Sequence, residues 1–215
     1  KKDSYRCVKG LSMADDENTA PDLNNEKLFD SGDDWWQNAM LLKIGDQWSV
    51  YAHGYKVAAD RLVDSIDNDR FEVDFIVYPV VFLYRQSIEL YLKNIIKGSR
   101  GLLEMEISFP KHHDIYKLWI DAKGLIVQIW PDNPEVDFTR IEGFIKQFSG
   151  YDPSSEIFRY PEDRKGNPVE INVKHINLRN LQNIMEELIG LLDGASTGIS
   201  HYIDEKGSMN DYYAP

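Results

Sequence analysis

Apolar residues recur at three- and four-residue steps through most of the chain, and each such run predicts an amphipathic helix. The longest runs from about residue 72 to 98. It carries Val73, Ile76, Val77, Val80, Val81, Tyr84, Ile88, Tyr91, Leu92, Ile95 and Ile96, so more than half its circumference is apolar and neighbours are expected on several sides. Before it, Trp48, Tyr51, Ala52, Tyr55, Ala59, Leu62, Val63 and Ile66 predict a helix over roughly 46–67. A short helix is expected near 31–41, opened by Ser31 to Asp34 and carrying Trp35 and Trp36. Two further helices follow at about 113–130 and 134–149, and a last one at about 175–193. Pro79 inside the central helix predicts a kink or break, and Gly98 to Gly101 its stop.

The period changes at 156–173. Glu156 to Tyr160 and Val169 to Val173 alternate as strands do, on either side of the turn-rich Pro161 to Pro168, and a β-hairpin is the natural reading. The expected architecture is therefore all-α, an antiparallel helical bundle with one small hairpin before the last long helix. Residues 1–30 read as a flexible acidic arm, 31–194 as the bundle, and 195–215 as a polar C-terminal tail.

Composition narrows the function classes. Of 215 residues, 42% are apolar, enough for one sizeable core. No apolar run reaches the roughly 18 residues that span a bilayer, and Lys1 to Arg6 lack the apolar stretch of a secretory leader, so a cytoplasmic protein without a membrane partner is expected. Cys7 alone supports neither a disulfide framework nor a Cys-rich metal site. The net charge of −12 argues against a broad DNA-binding face. That charge is uneven: residues 11–34 hold eight acids against Lys27, a local −7, which leaves only −5 elsewhere and room for a local basic pocket.

Chemistry concentrates in three places. Arg85, Glu89 and Lys93 stand four apart on the central helix and form one charged stripe on an apolar rod. Such a stripe is either a solvated ion-pair ladder or the lining of a pocket or dimer cleft. Lys111, His112, His113 and Asp114 precede the next helix. Asp114 suits a helix cap, and a histidine beside a carboxylate suits acid–base work. Adjacent histidines do not share a helix face, so no metal site is expected, and no cofactor signature is present. Arg159 and Tyr160 fall on the first hairpin strand, where alternation would put them on opposite faces. The guanidinium could grip a phosphate or simply pair with Asp152 or Glu156.

The combination of Phe82 to Ile96 with Lys111 to Trp119, followed by the Phe158 to Gly166 segment and His175 to Leu181, resembles the HEPN superfamily of helical-bundle domains, in particular a group of uncharacterised bacterial HEPN-like proteins. The resemblance covers roughly residues 35–193. It implies a bundle of four or more helices, commonly a homodimer with a cleft between protomers. Many members are metal-independent ribonucleases in toxin–antitoxin or phage-defence systems. Their motif is an Arg followed after four to six residues by a His. Here Arg85 is followed at those positions by Leu90, Tyr91 and Leu92. The expectation is thus a non-catalytic HEPN-like module binding RNA or a nucleotide phosphate in a polar cleft lined by Arg85, Glu89, Lys93, His113, Asp114, Arg159 and Tyr160. The alternatives are a metal-independent endoribonuclease in which His113 and Arg85 form a rearranged site, and a dimerisation or interaction module with a partner protein encoded nearby.

Overall fold

The structure is a computed structural model that describes residues 27–29, 31–41, 45–67, 71–132 and 138–213. The chain divides into two units, Lys1–Leu42 and Lys43–Pro215. In the first, the described part holds a single 3-10 turn, Trp35–Gln37, where a short helix is expected, with Trp35 and Trp36 exposed and edge-on to one another. Most of the acidic arm expected at 1–30 lies outside the described residues.

The second unit is a helical bundle: α1 (Gln47–Ser65), α2 (Val73–Leu102), α3 (Ile115–Ile129), α4 (Phe138–Tyr151) and α5 (Leu178–Tyr213). α2 is its axis, packed by α1, α3 and α5, while α4 joins α3 to α5. That placement explains the wide apolar face of α2: Val80, Tyr84, Ile88, Tyr91, Leu92, Ile95 and Ile96 are all buried. α1 meets α2 through small residues, Ala52 and Ala59. The approach is close enough for the Ser87 hydroxyl to donate to the Ala52 carbonyl at 2.8 Å. On the other side, a methyl group at Gly98 would lie 2.9 Å from Ile199 Cγ2, so this glycine permits the contact of α2 with α5. No described helix is long and apolar enough to cross a membrane.

Several expectations are corrected. α2 is not broken at Pro79 and continues past Gly98 and Gly101 to Leu102. Ile199 and Ile107 pack over these glycines, and the helix ends instead in a reverse turn with Glu104 at φ 58°, Met105 N–H bonding the Arg100 carbonyl and Glu104 N–H that of Gly101. α5 continues to Tyr213, so the tail expected from residue 195 is helical through most of its length. Ser196 and Ile199 are buried there, and Lys206 reaches Glu104 at 2.6 Å. These long-range contacts sustain a helix whose own sequence is polar.

The hairpin is absent. Among the described residues there is no strand, only one antiparallel bridge between Glu162 and Pro168. Pro161 and Pro168 have no N–H for a ladder, and the Asp163 carboxylate captures the amides of Lys165 and Asn167. Upstream, Asp152 Oδ1 accepts from Glu156 and Ile157 N–H, and the Glu156 carbonyl from those of Arg159 and Tyr160, curling the segment into a helical turn.

Candidate functional site

The stripe on α2 is buried rather than solvated. Arg85 is fully enclosed and every nitrogen of its guanidinium has a protein acceptor. Nε donates to the Asp152 carbonyl at 3.0 Å and lies 3.5 Å from Asp152 Oδ2. Nη1 donates to Glu89 Oε2 at 3.1 Å and Nη2 to the His113 carbonyl at 2.6 Å. Glu89, 2% exposed, takes Lys93 Nζ and His113 Nδ1 on its other oxygen, each at 2.8 Å. Lys93 is almost as deeply buried, with its ammonium 5.8 Å from the centre of the Phe109 ring. Four-residue spacing on one helix thus builds a ladder that joins α2 to the loop before α3 and the loop after α4.

The electrostatics follow from that ladder. Two buried cations, Arg85 and Lys93, face two buried carboxylates, Glu89 and Asp152, so formal charge cancels without His113. Burial alone pushes the Glu89 carboxyl up. Hydrogen bonds and charge from Lys93 and His113 outweigh it and hold the group below its usual value near 4.5. Asp152 Oδ2 accepts no hydrogen bond, its compensation being the Arg85 charge.

His113 belongs to the ladder by its backbone and Nδ1 only; its side chain is 62% exposed. Because a carboxylate only accepts, Nδ1 donates to it, and Nε2 is the ring nitrogen left outside the ladder. Next to it, Asp114 caps α3, taking the Tyr116 and Lys117 amides at 3.1 Å each and Lys117 Nζ at 3.2 Å. Despite the desolvation that would raise it, these donors hold the Asp114 carboxyl low. Lys111 and His112 are exposed.

Arg159 and Tyr160 lie elsewhere, and not on opposite faces. In the helical turn the Arg159 guanidinium stacks over the Tyr160 ring at 5.1 Å and over Phe82 of α2 at 5.2 Å. Its donors reach the Tyr160 hydroxyl at 3.0 Å and the Ser155 carbonyl at 3.4 Å. Neither acid that could have neutralised it does so: Asp152 faces Arg85, and Glu156 pairs with Arg164 at 2.5 Å. Arg159 and Tyr160 line an open cavity of 370 Å³ with Tyr78, Ile157, Pro161 and Ile171. Tyr78 and Tyr160 are each about half exposed, at 47% and 50%.

The structure therefore brings Arg85, Glu89, Lys93 and His113 together, sets Asp114 beside them as a cap, and places Arg159 and Tyr160 in a separate aromatic recess. Sequence reasoning missed Asp152 as the anchor of Arg85, and Tyr78 and Phe82 as partners of Arg159. It also missed a polar knot in which Asn94 of α2 donates to Asp46, to Ser49 of α1 and to Ser196 of α5. Asn94 is an uncharged polar residue between Lys93 and Ile95 in a largely apolar helix, and that oddity was its only signal. No family model matches the chain, no curated protein matches it, and no solved structure matches it.

Proposed function

We propose that this chain is a HEPN-like helical module that binds RNA or a nucleotide phosphate without cleaving it, with the ligand held at the Arg159–Tyr160 recess rather than at Arg85. The observation that carries this reading is the state of Arg159: exposed, with no carboxylate among the described residues within 4 Å, and stacked over two aromatic rings. A guanidinium has five N–H donors in a planar fork, and two go to Ser155 and Tyr160, leaving three for an anion. Half-exposed Tyr78 and Tyr160 offer faces on which an unpaired base can stack. Such a recess suits a single strand or a mononucleotide, and the acidic remainder of the chain disfavours a long duplex. The resemblance adds a homodimeric assembly and a toxin–antitoxin or phage-defence setting to the proposal.

Fluorescence anisotropy with a short single-stranded RNA, titrated in EDTA, tests it. Arg159→Ala weakens binding about tenfold and reduces the salt slope by about 0.7, the share of one phosphate on a single strand. Unchanged affinity in that variant rejects the site.

A second reading, a metal-independent ribonuclease, is favoured by one observation: Glu89 holds an exposed imidazole with Nε2 outward. RNA cleavage in EDTA that disappears in His113→Ala would support it, and intact RNA after prolonged incubation would exclude it.

A further inference from the structure

The Glu89–His113 pair has a geometry that RNA binding at Arg159 does not use. Three buried ionic side chains form a ladder in which Arg85 and Lys93 both pair with Glu89, and Glu89 holds one exposed imidazole. The His113 backbone carbonyl is gripped by Arg85 Nη2 at 2.6 Å and the ring Nδ1 by Glu89 at 2.8 Å. Burying such a ladder is costly, and an apolar set of similar volume would hold the helices at least as well. What the ladder provides beyond cohesion is a fixed ring, with one nitrogen tied down and the other presented to solvent.

Beyond general-base action on a substrate, which is the ribonuclease reading above, three uses exist for such a nitrogen. As a metal ligand it lacks companions, since no group of three His, Cys, Asp or Glu side chains that could hold an ion occurs among the described residues. As a general base serving a protein nucleophile it has nothing to act on, because no hydroxyl or thiol among the described residues is hydrogen-bonded to Nε2. The third use is as a nucleophile itself, toward an electrophile that arrives from solvent. His113 lies on an open face and lines none of the main cavities. An open face suits a group handed over by another molecule. Lys111, exposed and without a carboxylate partner among the described residues, supplies a cation two residues before it in the chain.

We infer that His113 is a phosphoryl-acceptor site, taking a phosphoryl group on Nε2 from a high-energy donor of the phosphoramidate or nucleoside triphosphate class. The Nε2 lone pair attacks phosphorus, and the bond from phosphorus to the leaving group breaks with its electrons departing on that group. No proton need leave the protein. The hydrogen on Nδ1 stays in place, and the positive charge that the ring acquires is met by the buried Glu89 carboxylate at 2.8 Å. Glu89 acts here as a positioning residue and counter-charge. Phosphoryl acceptance at His113 and ligand binding at Arg159 are separable, because the two sites share no hydrogen-bond partner.

The test is to incubate the full chain with phosphoramidate at neutral pH, then follow mass and map the label by peptide fragmentation. Phosphoramidate loses ammonia as its phosphorus–nitrogen bond breaks. The expected result is one acid-labile phosphoryl group on His113, in preference to His53, His112, His175 and His201, and absent in His113→Gln. In Glu89→Gln the labelling rate falls about tenfold, as the ring loses its anchor and counter-charge. If Glu89→Gln fails to fold by circular dichroism, selectivity among the five histidines of the unaltered chain still decides. Label spread evenly over the exposed histidines, label that persists in His113→Gln, or no label at all would each overturn the assignment.

Discussion

Two arginines set the terms for this molecule. Arg85 lies on the central helix α2, fully buried, with Asp152, Glu89 and the His113 carbonyl on its guanidinium. Arg159 lies in an irregular turn, exposed, with aromatic faces about it and no carboxylate partner among the described residues. The first is the more conspicuous in sequence, because its stripe with Glu89 and Lys93 breaks an apolar pattern. The second has the free capacity to meet an anion. A buried arginine surrounded by acceptors is a strut, and its desolvation has already been compensated from within the protein. Hence the residue most visible in sequence is not the residue most available to a ligand.

The sharpest way to break this comparison is Arg85→Ala. Removal of the guanidinium leaves Glu89 and Asp152 buried with an incomplete counter-charge and the His113 carbonyl without its donor. The expected loss is about 3–5 kcal/mol of unfolding free energy, read by urea denaturation. A loss below about 1 kcal/mol, the range of exposed pairs, would place Arg85 outside the structural ladder. Next in size is the stacking platform: Tyr160→Ala should cost about 1–3 kcal/mol of single-stranded RNA affinity, measured by anisotropy, with stability little changed.

Smaller is the cap. Asp114→Ala frees two amides at the start of α3 and should lower stability by about 1 kcal/mol in the same urea assay. The pH dependence sharpens the contrast from the acid side. The Glu89 carboxyl is lower in the folded chain than its usual 4.5, so its contribution is fully present above that pH and is lost as pH falls through the lowered folded value. Glu89→Gln, less stable at neutral pH because Arg85 and Lys93 lose their partner, should converge on the unaltered chain in acid. Equal acid sensitivity in both would contradict the ladder.

Much of this was legible before the fold. Four-residue spacing placed Arg85, Glu89 and Lys93 together, because helix geometry alone decides it, and the cap at Asp114 follows from local chemistry. What the spacing could not carry is where the Arg85 fork goes. Its reach to Asp152, 67 residues away, depends on how α4 docks. The 156–173 segment failed for a different reason. Alternation there imitates strands, but two prolines and the side chain of Asp163 take up or remove the amides that a ladder would need. The length of α5 was hidden because its second half is held by partners, Gly98 and Glu104, that lie about a hundred residues earlier.

The division of labour between the two arginines is tested most directly by RNA anisotropy on Arg159→Ala, with its urea unfolding curve measured on the same sample. The account predicts binding weakened about tenfold while unfolding free energy stays within about 0.5 kcal/mol of the unaltered chain. Binding that survives intact in a folded Arg159→Ala protein would contradict it.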